Sequence, residues 1–181
     1  MDSRTPVIAL LGALALGAQQ AAQACDEREP TRETDPGPHD FSAGVADTRL
    51  WTDGEAGEPL FLRARVLDTC GAPVAGARVR VVHANHDGFH EPDRWRADLV
   101  TDDHGTFELT TVYPGYTGGL PRHVHFIISH PEHPELVTRL FFKNDPSVDH
   151  GIEDLAMVLE EIRRKDGRGW IAGYEFVLAR R

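Results

Sequence analysis

Leu60-Phe61-Leu62-Arg63-Ala64-Arg65-Val66 alternates strictly: Leu60, Leu62, Ala64 and Val66 at one set of positions, and Phe61, Arg63 and Arg65 at the other. Successive side chains of an extended chain point to opposite faces, so this stretch predicts a strand with one apolar face. The pattern recurs downstream. A turn at 68–73 leads to a strand within 74–85, where Ala77, Val79 and Val81 oppose Arg78 and Arg80. A loop over 85–94 carries Asp87-Gly88 and Pro92, and Thr101-Asp102-Asp103-His104-Gly105 reads as a tight turn. Further strands are predicted at 106–112, 123–129, 137–143 and 169–179. Pro114-Gly115, Gly118, Gly119 and Pro121 break the chain between two of them. Ile152, Leu155, Leu159 and Ile162 fall at helical spacing and predict one short C-terminal helix over 152–165, ended by Asp166-Gly167. Many short strands between Gly/Pro turns indicate an all-β sandwich or barrel.

Upstream of Glu58 the character changes. Residues 26–47 are polar and rich in Pro, Asp and Glu, and 25–57 is expected to be a linker or loosely docked arm before a domain at 58–181. Arg4 precedes an apolar run from Val7 to Ala18, and Ala22-Gln23-Ala24 offers small residues where a signal peptidase reads. Residues 1–24 are therefore expected to be a signal peptide, too short to span a membrane, and the mature protein to be periplasmic or secreted. Cys25 would be the first mature residue. Gln23 sits poorly in a lipobox, so simple secretion ranks above a lipid anchor there. The chain has two cysteines, Cys25 and Cys70. An oxidising compartment would let them pair, but sequence does not place them together in space.

The 181-residue chain carries a formal net charge of -10, which excludes nucleic acid as a natural partner because phosphate binding needs a basic face. Its ten histidines are many for this length and direct attention to metal chemistry. His123-Val124-His125 lies within a predicted strand, so both imidazoles project from one face, with Cα atoms about 7 Å apart, and can converge on one ion. Further donors lie in two loops: Tyr113 and Tyr116 in one, and His83, His86 and His90 in or beside the other. Imidazole suits zinc, copper or iron, and tyrosinate favours ferric iron. Tyrosines in such positions are more often packing residues with a satisfied hydroxyl. His86, His104, His130, His133 and His150 read as solvated loop histidines.

Several motifs occur in one order: Gly71-Ala72-Pro73-Val74, Ala84-Asn85-His86-Asp87-Gly88, Thr101-Asp102-Asp103-His104-Gly105-Thr106-Phe107, Thr111-Val112-Tyr113-Pro114-Gly115-Tyr116, His123-Val124-His125-Phe126 and Leu136-Val137-Thr138-Arg139-Leu140-Phe141-Phe142. As a set they resemble the catalytic domain of the intradiol ring-cleavage dioxygenases over residues 58–145. The resemblance implies a β-sandwich holding one ferric ion through two tyrosines and the two histidines of the H-x-H pair. It also implies cleavage of a catechol by dioxygen to a muconate-type diacid, with the metal as Lewis acid and template.

Carried over by position, His123 and His125 match the histidine pair. Tyr116 matches the second tyrosine, one residue earlier than the usual PG-x-Tyr spacing, where Thr117 falls. The first tyrosine falls on His90. The implied metal ligands are thus His90, Tyr116, His123 and His125. The family arginine three residues before H-x-H is Leu120 here, with Arg122 close by, and the family glutamine of the T-Q-L-Y-F stretch is Arg139. Arg122, Arg139 and Tyr116 are therefore the expected catalytic groups. Replacing one tyrosinate by imidazole makes the donor set more welcoming to Fe(II), Cu(II) or Zn(II). Two readings follow: a Fe(III) enzyme acting on a catechol-type aromatic with dioxygen, as a monomer or homodimer, or a non-catalytic β-sandwich that holds copper, zinc or another ligand. A third has the same fold with no metal at all.

Overall fold

The computed structural model describes residues 25–37, 44–143, 145–148 and 151–181. The expected signal peptide, residues 1–24, and His150 lie outside the described residues. Eight strands follow one another: β1 (Pro59–Asp68), β2 (Arg78–His83), β3 (Arg96–Val100), β4 (Thr106–Val112), β5 (His123–His130), β6 (His133–Phe142), β7 (Ala156–Arg164) and β8 (Gly167–Leu178). They are hydrogen-bonded in the order β3-β2-β5-β6-β7-β8-β1-β4. The all-β expectation holds, and among the described residues there is no α-helix. The expected sandwich takes the form of one nearly closed sheet. Its halves join where β6 and β7 pair in parallel through Phe141–Ala156 and Phe142–Met157.

The opening alternation is visible in β1. Leu60, Leu62, Ala64 and Val66 are buried, and so are Val79 and Val81 of β2, Val124, Phe126 and Ile128 of β5, and Phe176 of β8. Burying a large apolar side chain contributes about 1.5–3 kcal/mol, so these alternating positions specify strand register. The turn residues act as their types suggest. Asp68 Oδ1 accepts from the backbone N–H of Cys70 and Ala72, and Asp102 Oδ1 from those of His104 and Thr106. Gly105 has φ +70, and a Cβ there would stand 2.4 Å from the Val66 carbonyl oxygen, so this turn requires glycine.

Two expectations are corrected. The short C-terminal helix at 152–165 is absent: a single 3-10 turn, Glu153–Leu155, leads into β7. Asp166-Gly167 does not stop a helix but turns the β7–β8 hairpin, in which Arg164 pairs with Gly167. Asp-Gly is a strong hairpin signal, and pairing with β8 overrides a periodicity that four residues can mimic by chance. Secondly, β3 was not foreseen. Residues 96–100 follow directly on the loop and pair antiparallel with β2.

The polar arm is not loosely docked. Thr31 N–H donates to Val177 O and Thr34 N–H to Val137 O, while Thr138 Oγ1 donates to Arg32 O. Residues 28–34 thereby fill the opening between β6 and β8. Val45 bridges to Ala97 of β3 and Arg49 to Thr110 of β4, so residues 45–49 close the gap between the two edge strands. Cys25 and Cys70 form a disulfide with Cα atoms 5.4 Å apart, anchoring the start of this strap. Among the described residues, no helix is long and apolar enough to cross a membrane.

His83 belongs to the core. Its Nδ1 donates to Ala84 O at 2.8 Å, and its Nε2 meets Thr111 Oγ1 at 2.8 Å. Burial pushes its pKa down from 6.5 to about 4.

Two outcomes are expected. The disulfide closes a sequence separation of 45 residues, so Cys25→Ser should lower stability by up to about 4 kcal/mol on the loop-entropy scale. Denaturant midpoints check this, and reduction should shift the parent but not the variant. An unfolded His83 takes up its proton near pH 6.5, whereas the folded one resists until about 4. Stability should therefore fall as pH drops through that window, by up to about 3 kcal/mol. Melting curves between pH 7 and 4 should show a flatter decline for His83→Gln.

Candidate metal centre

β5 presents Val124 and Phe126 to the core and His123 and His125 to the opposite face. Both histidines are nevertheless buried, at 4% and 1% exposure. Their Nε2 atoms stand 3.1 Å apart. Two nitrogens bound to one ion at about 2.1 Å stand about 3.0–3.4 Å apart for angles between right and tetrahedral, so the pair already has the spacing of two ligands. Nδ1 of His123 donates to Pro121 O at 2.7 Å. A carbonyl can only accept, so the proton sits on Nδ1 and the lone pair of Nε2 faces His125.

His90 is brought to this pair, its ring centroid 5.9 Å from that of His125. Asn85 organises the loop that carries it. Asn85 Oδ1 accepts from the N–H of Asp87 and Phe89, its Nδ2 donates to Glu91 Oε1, and its backbone O accepts from Gly115 N–H. The last bond joins this loop to the one holding Tyr116. A Cβ on Gly88 would lie 1.9 Å from Tyr116 O, so the two loops touch backbone to backbone.

Tyr116 is placed differently from the histidines. Its hydroxyl donates to Asp145 Oδ1 at 3.2 Å, and its ring lies under Arg122, whose Cζ is 3.8 Å from the centroid. Its oxygen thus serves a carboxylate. Arg122 also approaches Asp145 Oδ2, through Nη1 at 3.5 Å and through its backbone N–H at 3.4 Å. Tyr113 packs 4.9 Å edge-on to Phe142 and 5.0 Å from Trp170, and burial pushes its pKa up to about 12. It is a packing residue. Arg139 lies opposite His125 in the β5–β6 register and therefore on the same face. Its Nε is buried and hydrogen-bonds to nothing among the described residues. A buried guanidinium N–H in that state suits an anionic ligand.

The other histidines lie elsewhere. His86 and His104 are on exposed turns, and His130 and His133 face each other at the β5–β6 hairpin. Among the described residues, no group of three or more His, Cys, Asp or Glu side chains stands close enough to hold an ion. The donors that fit a metal are thus the two converging nitrogens, with His90 one ring further out. Asp145 was missed by sequence reading. An Asp beyond the end of a strand carries no local signal, and only the fold brings it under Tyr116.

A nearly closed all-β sheet with a buried imidazole pair defines the class: an all-β protein with a candidate metal site. The sequence matches the Dioxygenase family model over residues 39–178, and the chain belongs to that family. It is 28% identical to a hydroxyquinol 1,2-dioxygenase of a Rhizobium species, a match covering 91% of this chain and 71% of the relative. It is 26% identical to a catechol 1,2-dioxygenase of a Pseudomonas species, covering 62% of this chain and 44% of that protein, so it spans less than half of that relative's length. Among solved structures, it resembles the dioxygenase domain of a dioxygenase carbohydrate-binding fusion from a cellulolytic Streptomyces. The TM-score is 0.72 with 27% identity, over 84% of this chain and all of that one. A 3-chlorocatechol 1,2-dioxygenase of Rhodococcus opacus shares the fold, with a TM-score of 0.72 at 23% identity, over 89% of this chain and 76% of that one.

The loop contact makes a sharp prediction. Gly88 has φ +89 and no room for a side chain. Gly88→Ala should cost about 1–3 kcal/mol from backbone strain, more with the clash, and should move His90 away from His125. Thermal melts read the first effect. Histidine side-chain NMR shifts read the second, and unchanged shifts for His90 and His125 would contradict it.

Proposed function

We propose that this chain is an exported intradiol-type dioxygenase that cleaves a catechol-type aromatic with dioxygen, using iron held at His123 and His125 with His90 beside them. The observation that carries this reading is the buried nitrogen pair at 3.1 Å in a chain of the dioxygenase family. Bound there, a ferric ion would supply a Lewis acid and a template for the substrate oxygens. The protein's own contributions are legible from its side chains. The Pro121 carbonyl holds the His123 ring in the tautomer that offers Nε2. Arg139, through its buried Nε–H, would attract and orient a phenolate oxygen, and Arg122, stacked on Tyr116, directly precedes the pair in sequence. In the overall reaction both atoms of dioxygen enter the product, and the bond between the two hydroxyl-bearing carbons breaks, leaving a muconate-type diacid.

Export is part of the proposal. The Cys25–Cys70 disulfide supports an oxidising compartment, periplasmic or extracellular. A sulfur in a disulfide cannot at the same time carry a thioether lipid, which favours simple secretion over an anchor at Cys25.

One observation favours a second reading. The hydroxyl of Tyr116 is engaged by Asp145, and His90 stands where the family places a tyrosine. A nitrogen-only donor set suits Cu(II) or Zn(II) and a binding role without turnover.

Protein purified from the periplasm should contain about one iron per chain and consume oxygen with catechol or hydroxyquinol as ring-opened product forms. His123→Ala with His125→Ala should abolish both, and His90→Ala should weaken metal binding by at least about tenfold, no less than loss of an outer-sphere partner would. Bound copper or zinc with no oxygen uptake would replace the first reading with the second. Unchanged metal content in the double variant would sink both.

A further inference from the structure

Asp145, just beyond β6, reaches back to the loop that leads from Tyr116 to the histidine strand. Its side chain is fully buried, with none of its surface exposed. Burying a carboxylate is costly unless its oxygens are satisfied, and here they are. Oδ1 accepts from the Tyr116 hydroxyl at 3.2 Å and from Ser147 N–H at 2.9 Å. Oδ2 accepts from Arg122, through the backbone N–H at 3.4 Å and Nη1 at 3.5 Å. The two side chains it holds are also stacked on each other, with the guanidinium over the Tyr116 ring. Arg122 directly precedes His123, so the same carboxylate touches the backbone that enters the histidine strand.

We propose that Asp145 is a positioning residue that locks Tyr116 and Arg122 into one unit, holding the Tyr116 phenol as a hydrogen-bond donor in competition with any metal at the nitrogen pair. The inference rests on the metal reading above for its consequence, but not for its geometry, which concerns side chains of this chain alone. In that arrangement the Tyr116 phenol is the donor and the Asp145 carboxylate the acceptor. Breaking the bond to Asp145 would free the phenol oxygen for an ion at His123 and His125.

The proposal separates acceptor from charge. Asparagine keeps an oxygen at the Oδ1 position and can still accept from Tyr116, whereas alanine cannot. The protein has three tyrosines, so tetranitromethane modification can be mapped residue by residue on the metal-free full chain. Tyr116 should be nitrated about fivefold faster in Asp145→Ala than in the parent, the factor that loss of one net hydrogen bond brings. It should remain near the parent rate in Asp145→Asn, and Tyr113 and Tyr174 should not change. If the alanine variant fails to fold, Asp145→Ser, whose hydroxyl is too short to reach, takes its place. A second readout is the visible spectrum of ferric-loaded protein. The parent should lack a tyrosinate charge-transfer band, Asp145→Ala should gain one, and adding Tyr116→Phe to that variant should remove it. Equal nitration of Tyr116 in all variants would overturn the proposal, as would a Tyr116-dependent band already present in the parent. If no variant binds metal, the metal reading fails, while nitration still decides whether Asp145 positions Tyr116.

Discussion

Val124, Phe126 and Ile128 point into the core while His123 and His125 point the other way, and both faces of β5 are buried. That double burial is the constraint on which the site depends. Because side chains alternate strictly along a strand, a one-residue slip of β5 would drive two imidazoles into an apolar core and expel Phe126. The core face therefore enforces the placement of the histidine face. Register with β2 and β6 does the rest, setting Val82 and Arg139 on either side of His125. The chemistry is positioned by residues that take no part in it.

The N-terminal strap covers the openings that this sheet leaves. β6 and β7 share only two residue pairs, so the sheet is open along most of that seam, and β3 and β4 leave a second opening. Residues 28–34 fill the first opening and 45–49 the second, with the Cys25–Cys70 bond securing the start. Exposed strand edges invite pairing with other chains, and covering them protects a nearly closed sheet from association. The composition of this segment, polar and rich in proline, looks like a linker. It is polar because it lies on the surface, not because it is free. Many of its bonds to the sheet are backbone bonds, which leave little trace in side-chain sequence.

This marks the boundary of what sequence could reveal. The alternation in 60–66 and the turns at Asp68 and Asp102 were legible because the signal is local: period two, and an Asp whose carboxylate caps its own turn. The histidine pair was legible for the same reason. The segment 152–165 misled because Leu155, Leu159 and Ile162 fit a helical face, whereas Leu155 and Met157 are buried as neighbours on a strand approach and Val158 is exposed. His83 could not be told from a ligand by type or position. Only its partners, Ala84 O and Thr111 Oγ1, show it to be a core residue. Asp145 lies 29 residues beyond the tyrosine it holds, and no pattern connects the two.

The charges around the nitrogen pair bear on how a metal and a substrate would share it. Arg139 sits on the same face as His125, and Arg122 adjoins His123. One of these cations is matched by a buried carboxylate, Asp145, at 3.5 Å. Placing a further cation between two imidazoles raises the local positive charge, and in a poorly solvated site that repulsion is weakly screened. An anionic oxygen ligand would relieve it. A tyrosinate would do so permanently; on the proposed reading Tyr116 is bound to Asp145 and the relief comes from outside the protein. A catecholate, carrying its charge on two adjacent oxygens, meets both needs at once: it offers donors to the metal and acceptors to the arginines. On the proposed reading, metal and substrate therefore bind with positive coupling, each lowering the electrostatic cost of the other.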